Sequence, residues 1–509
     1  MRDAVIGGLC SLALATAVPG AWGESPDFSA VRHLVRSEMA ARSIPGLSIA
    51  VARRGRILWE EGFGWADREN RIPATEQTMF NVASVTKTFT STALMILAKS
   101  RKLDLDRPVN DYLPGAKLTS PKFDPAAATL RRVAMHTGGL TTFFRTCYAD
   151  EPRCRISMEE TIARYGVVFW PPGDHFDYSN LGYGILGQVV EKASGRPLER
   201  FLKEEVFAPL GMSHSSLGIG PGLAKLVAQR YTARRRSPAQ ETATPGASGA
   251  YASAHDLALF GMFNLKTRLS SAKAILSDAD LEAMQSDTVA AGGSDRYGLG
   301  WWVRDDQNGY RTVLAQGGTD DTSASLELVP AEGIAVAVLA NKGDPLPSVV
   351  IDAILAEMLP RYRENLERKA QEPEPPPADL SHPDAAFVGT WNGTISTDRG
   401  PVPLTITVRE SGDTRGTLGR GSVTALTNVK FDPKFGTFRF RGRMAGELNV
   451  DDAGQGPFDL YFELYVRGSA LEGCATTIPR PESQEGNGLS FWVELKRDLP
   501  GSVAKDASG

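Results

Sequence analysis

Hydrophobic positions along the first 360 residues follow two different periods. Ala30 to Ala41 carries helical spacing, and Leu47 to Ala52 and Ile57 to Trp65 read as strands. The turn Arg53-Arg54-Gly55-Arg56 joins those strands as a hairpin. Strand-like runs return at Thr312 to Ala315, Ala324 to Val329 and Ile334 to Leu339, the last two linked by Pro330-Ala331-Glu332-Gly333. A helix follows, with Val350, Ile351, Ile354, Leu355 and Met358 in one apolar stripe. Strands near both ends with helices and loops between them predict an α+β region. Its antiparallel sheet is closed by the two ends and flanked by helices, without regular βαβ alternation.

The pattern breaks at Gln371-Glu372-Pro373-Glu374-Pro375-Pro376-Pro377, where consecutive prolines favour an extended spacer. Beyond it the period is two. Leu404, Ile406 and Val408 alternate, then Phe438 and Phe440, then Phe458 to Val466, then Phe491, Val493 and Leu495. Turn residues separate these runs, which predicts a C-terminal all-β, barrel-like domain of lipocalin type. The expected organisation is a signal peptide (1–23), an α+β domain (24–366), a Pro/Glu-rich linker (367–384), the all-β domain (385–498) and a tail (499–509).

The first 23 residues have the form of a secretory leader. Arg2 precedes the apolar run Ala4 to Val18, and small residues surround Ala21 and Gly23. Export to a periplasm or outside the cell is the expectation. The run is too short to span a bilayer, and no later segment supplies about 20 uninterrupted apolar residues. At 509 residues, with 42% hydrophobic and 23% charged positions, the rest reads as soluble and multidomain. A formal net charge of −4 gives no electrostatic case for a nucleic-acid partner. Cys10 belongs to the leader, and Cys147 and Cys154 are spaced to pair in an oxidising compartment. Cys474 is left as a buried, small apolar side chain.

Chemistry first suggests itself at Ser84-Val85-Thr86-Lys87, at the start of an apolar helix through Phe89, Ala93, Ile96 and Leu97. One helical turn brings Ser84 and Lys87 to the same side. A serine hydroxyl needs a base within reach, and a lysine becomes one when burial frees its amine. Ser-x-x-Lys alone is weak, because Ser270-Ser271-Ala272-Lys273 matches equally well. A second segment, Trp170 to Asn180, is a turn-rich loop that leads into a helix from about Leu181 and can present Tyr178 and Asn180 to one cleft. The third is Gln316-Gly317-Gly318-Thr319, whose glycines admit a substrate close to strand backbone. There the Thr319 N–H would join that of Ser84 in an oxyanion hole. The histidines form no metal-binding pair, and no Gly-x-Ser-x-Gly elbow occurs, so no metal or cofactor is implied.

The order Ser-x-x-Lys, Tyr-x-Asn and a glycine-containing strand resembles the serine β-lactamase and DD-peptidase superfamily. Class C β-lactamases, family VIII esterases and D-aminopeptidases are the nearest groups. His136-Thr137-Gly138-Gly139, Phe207 to Met212 and Gly249 to Ser253 with Asp256 also match, so the resemblance covers about residues 28 to 362. It implies Ser84 as the acylated nucleophile, Lys87 as its base, Tyr178 as a second proton-transfer residue and Asn180 as a substrate contact. Gln316, Gly317, Gly318 and Thr319 would then bind substrate. Relatives usually begin the third motif with Lys or His, and Gln316 is read as occupying that place. Asp320 and Asp321 stand where relatives often have Pro-Gly. This predicts an acyl-enzyme hydrolase for esters, peptide amides or β-lactams, with neutral esters or amine-bearing peptides favoured over carboxylates. The expected partner is a small-molecule or peptide substrate, and the sequence leaves the oligomeric state open. The alternative is a non-catalytic sensor of peptidoglycan or β-lactams on the same fold.

Overall fold

The computed structural model of the chain describes residues 26–498 apart from 114, 149–156, 221, 234, 239, 268–273, 374–379, 435–436, 446–447, 449–457 and 480–486. The expected leader, the tail, Cys154 and the second Ser-x-x-Lys segment lie outside the described residues.

Side-chain alternation organises the main sheet. Its nine strands are antiparallel, and its centre runs in the order Arg56–Asp67, Gly46–Arg53, Ile334–Ala340, Thr322–Val329, Tyr310–Thr319 and Trp302–Gln307. Leu47, Ile49 and Val51 point to one face, where Val336 and Val338 join them. Helices Ser29–Arg42 and Leu346–Met358 cover that face with Val31, Val35, Val350, Ile351 and Ile354. Ala50, Ala52, Ala335 and Ala337 point the other way, toward helix Ala254–Asn264. Small side chains there allow close packing: a Cβ at Gly261 would stand 2.7 Å from that of Ala335. Pairing of Leu47 with Ala340 makes an early strand and a late strand neighbours, so both ends of the region close the sheet.

The linker expected from residue 367 begins later. Helix Pro360–Gln371 continues through Gln371, held by buried Tyr362, whose hydroxyl donates to Asp352 at 2.6 Å. Apart from such anchors this helix is strongly polar, so no apolar stripe advertised it.

The C-terminal region is a second nine-stranded antiparallel sheet, running from Gly389–Thr397 to Ser490–Arg497. Its edge strands Thr424–Ala425 and Thr427–Lys434 adjoin in sequence, and the sheet curls into a nearly closed barrel. Trp391, Ile406, Phe440, Leu460, Phe462 and Phe491 fill the inside. The barrel is joined to the α+β region by a backbone exchange between Phe144 and Gly488, both bonds 2.9 Å long. A Lys122–Glu472 ion pair and a cluster of Phe169, Trp170, Tyr465, Cys474 and Trp492 extend the contact. Among the described residues no helix is long and apolar enough to cross a membrane.

Candidate active site

Ser84 sits in a short 3₁₀ turn, Ala83–Val85, that runs directly into helix Thr86–Lys99. The preceding Ala83 takes φ +43°, the left-handed region that a residue with a Cβ seldom enters. Surrounding bonds hold this strained corner: Asn81 Oδ1 accepts the Ala83 N–H at 3.2 Å, and the Ala83 carbonyl accepts from Thr86 Oγ1 at 2.6 Å. The corner presents a half-buried Ser84 at the mouth of a cleft of about 2650 Å³.

Lys87 lies one turn on, only 1% exposed. Its Nζ is 2.9 Å from Ser84 Oγ, 2.7 Å from Asn180 Oδ1 and 3.2 Å from the Ala247 carbonyl oxygen. It also stands 4.7 Å from the centre of the Tyr178 ring. Burial drives the lysine's pKa well below its ordinary value, since a buried ammonium loses hydration. Burial likewise pushes the Tyr178 phenol up to about 12, a rise tempered by its hydrogen bond with Ser84. The amine is therefore easy to deprotonate and the phenol holds its proton.

Asn180 opens helix Asn180–Ser194, whose N-cap Ser179 accepts the Gly182 N–H at 3.1 Å. The cap turns the chain so that the Asn180 amide oxygen meets Lys87. Ser84, Lys87, Tyr178 and Asn180, separated by up to 96 positions in sequence, thus converge.

Strand Tyr310–Thr319 forms the opposite wall. Its neighbour Trp302–Gln307 pairs with it only as far as Leu314, which leaves the edge from Ala315 to Thr319 open toward the serine. At Gly317 the approach is tight: a Cβ would stand 2.2 Å from the Val82 carbonyl oxygen and 2.7 Å from the Ser84 nitrogen. Strand alternation then sets the facing of Gln316. Gln316 lines the cleft, but its side chain lies on the opposite strand face from Gly317 and donates to Ser348 Oγ at 3.0 Å. The position that shares Gly317's face is Ala315, buried in the same core as the serine helix. No side chain capable of carrying charge therefore stands next before Gly317 on that face. Gly318 and Thr319 border the cleft, and the Thr319 hydroxyl donates to Asp321 at 2.6 Å.

Two features escaped the sequence reading. Arg230 donates to Asp321 at 2.5 Å and to Thr319 Oγ1 at 3.2 Å, and Asp321 also accepts from Gln240 Nε2 at 2.6 Å. This knot ties the end of the open strand to the cleft wall and neutralises a cation beside it. The other is His136, buried against the Tyr178 ring with centroids 4.3 Å apart. It lay within a quoted segment, but nothing local placed it near residue 178. Cys474 is buried and free, whereas the suggested Cys147–Cys154 pair includes a residue outside the described set.

Comparison with known proteins agrees with this geometry. The sequence profile of the β-lactamase family matches residues 31–357. Protein flp of Staphylococcus aureus (strain N315) is 24% identical over 318 residues, 61% of this chain and 62% of that protein. The chain thus spans under two thirds of that relative's length. A class C β-lactamase structure superposes with a TM-score of 0.54 at 23% identity, covering 68% of this chain and 97% of that one. The octameric penicillin-binding protein homologue from Pyrococcus abyssi gives a TM-score of 0.57 at 21% identity, over 92% of this chain and 100% of its own. The latter likeness continues past the α+β region into the barrel.

Proposed function

The chain belongs to the β-lactamase family, and from that premise we propose that it is an exported serine hydrolase working through an acyl-enzyme at Ser84. The observation that carries this reading is the set of contacts around Lys87 Nζ. A neutral amine has two N–H donors and one lone pair. Lys87 Nζ faces the oxygens of Ser84, Asn180 and Ala247; once it is deprotonated, Asn180 and Ala247 can keep its two donors, which leaves the lone pair to take the Ser84 proton. Ser84 Oγ attacks a carbonyl carbon as its proton passes to Lys87. The tetrahedral oxyanion receives N–H groups from Ser84 and from the open edge at Gly318–Thr319. Collapse breaks the bond to the leaving group, which is protonated by way of the Tyr178 phenol. Water then attacks the ester on Ser84, with Lys87 taking its proton, and releases the acid.

Ala315 and Gly317 supply no cation to hold a substrate carboxylate, and Arg230 is already committed to Asp321. We therefore assign neutral esters as the preferred class, ahead of peptide amides and β-lactams. Export rests on the leader-like composition of residues 1–23.

The test is a panel of p-nitrophenyl esters with neutral, anionic and cationic acyl groups, alongside D-amino-acid amides and a cephalosporin, run on the wild type and Ser84→Ala. Turnover of neutral esters that vanishes in Ser84→Ala supports the proposal. Equal rates in the two proteins remove it, and a stable covalent adduct without turnover favours a sensor. Preference for the anionic ester would refute the assigned class alone.

A further inference from the structure

We infer that His136 is a positioning residue for Tyr178, holding the segment around the phenol in its working place. The inference rests on the role proposed above for Tyr178 and deepens it.

His136 grips the chain on both sides of that tyrosine. Its backbone carbonyl accepts the Asp177 N–H at 2.8 Å, and its ring Nδ1 accepts the Ser179 N–H at 3.1 Å. The ring lies against the Tyr178 ring, 4.3 Å between centroids and tilted by 37°. One residue thus fixes the amides at 177 and 179 and a face of the side chain between them. Asp177 also accepts from the Trp170 indole N–H at 2.8 Å, and the Tyr178 carbonyl accepts from Thr142 Oγ1 at 3.3 Å.

The arrangement needs a neutral histidine of one tautomer. An Nδ1 that accepts from Ser179 carries no proton, so the hydrogen resides on Nε2. Protonation would set two N–H groups against each other. Burial keeps the imidazole's pKa well below its ordinary range. Nε2 is itself buried with no hydrogen-bond acceptor among the described residues, and the rings of Tyr297, Tyr183 and Phe176 surround the imidazole. A side chain present only to fill this space would be better served by phenylalanine, which leaves no polar atom unpaired. The histidine is explained by its acceptor nitrogen. Its φ of +59° narrows the choice further, because this left-handed conformation is tolerated by few residues besides Gly, Asn, Asp and His.

The experiment compares His136→Phe, His136→Asn, Tyr178→Phe and the His136→Phe/Tyr178→Phe double variant in the full chain, using a neutral p-nitrophenyl ester. His136→Phe keeps ring volume and loses the acceptor. It should lower kcat by about 10- to 100-fold with little change in KM, the scale expected from misplacing a reacting group by about 1 Å. Asparagine accepts the left-handed φ and offers an amide oxygen, so it should recover part of kcat. The double variant should be no slower than Tyr178→Phe alone. Nitrogen-15 NMR of labelled histidine in the wild type should show the Nε2–H tautomer, a readout independent of activity. Unchanged kcat in a folded His136→Phe protein, multiplicative losses in the double variant, or an Nδ1–H tautomer would each overturn the inference. If Tyr178→Phe and Ser84→Ala keep full activity, the proposed reaction fails instead. If His136→Phe does not fold, His136→Asn and the tautomer decide.

Discussion

Gly317→Ala is the sharpest structural perturbation of this site. The added methyl would lie 2.2 Å from the Val82 carbonyl oxygen and 2.7 Å from the Ser84 nitrogen, against an ordinary contact of at least 3.4 Å. Both obstacles are backbone atoms, so no side-chain rotation relieves the clash. The open strand or the Ala83–Val85 corner must shift by at least about 1 Å, which separates the N–H groups that converge on the oxyanion. Loss of one such donor costs about 2.7–4 kcal/mol in the transition state, so kcat should fall roughly 10²- to 10³-fold. Crowding a packed contact should also lower stability by about 1–3 kcal/mol. Stopped-flow release of p-nitrophenol measures acylation directly, and urea denaturation measures the folding cost. Gly318→Ala is the control, because its nearest obstacle is the Thr322 carbonyl oxygen at 3.7 Å. Wild-type acylation in a folded Gly317→Ala protein would refute the idea that strand and serine turn meet to form the oxyanion site.

Other consequences follow from the buried ionisable groups. The acid limb of kcat/KM should titrate far below the ordinary lysine range, because burial of Lys87 favours its neutral amine, and the rate should rise with pH until that limb is passed; a limb near 10.5 would contradict the assignment. Glu327, 3% exposed behind the sheet and near Asp352, is raised by burial from 4.5 to about 8. The native protein keeps this proton after the unfolded chain has lost it, so stability should fall as pH rises through that window and level off above it. At about 1.36 kcal/mol per unit the fall is about 4–5 kcal/mol, and Glu327→Gln should flatten it in urea titrations at several pH values. Identical pH slopes in both proteins would count against it. Trp170→Ala removes a ring that packs on Tyr465 of the barrel at 4.7 Å, and its indole N–H donates to Asp177 at 2.8 Å. Destabilisation of about 3–5 kcal/mol and slower acylation are expected from denaturation and burst kinetics; a purely local stability loss with intact acylation would separate the barrel from the site.

Legibility in the sequence tracked the distance over which each interaction acts. Ser84 and Lys87 are one turn apart on an apolar helix, so a local pattern revealed them. The two sheets were readable because alternation at Leu47, Ile49 and Val51, or at Leu460, Phe462 and Leu464, is imposed by burial on one face. Tyr178 and Asn180 emerged only from the order of motifs, since their partner lies 91 and 93 positions upstream. The facing of Gln316 was not readable because a run of glycines carries no alternation, and the register appears only from the contact of Gly317 with Ser84. Helix Pro360–Gln371 hid for the opposite reason: apart from Tyr362 it is almost wholly polar. His136 and the Arg230–Asp321 knot depend on tertiary contacts between segments that share no local signal.

The central claim is that an unprotonated Lys87 makes Ser84 nucleophilic. Mass-spectrometric mapping of a fluorophosphonate probe tests it most directly, comparing the wild type with Lys87→Met. The account predicts rapid labelling confined to Ser84, slowed by several orders of magnitude in the variant although it remains folded. Labelling at another residue, or equally fast labelling of Ser84 without the amine, would contradict it.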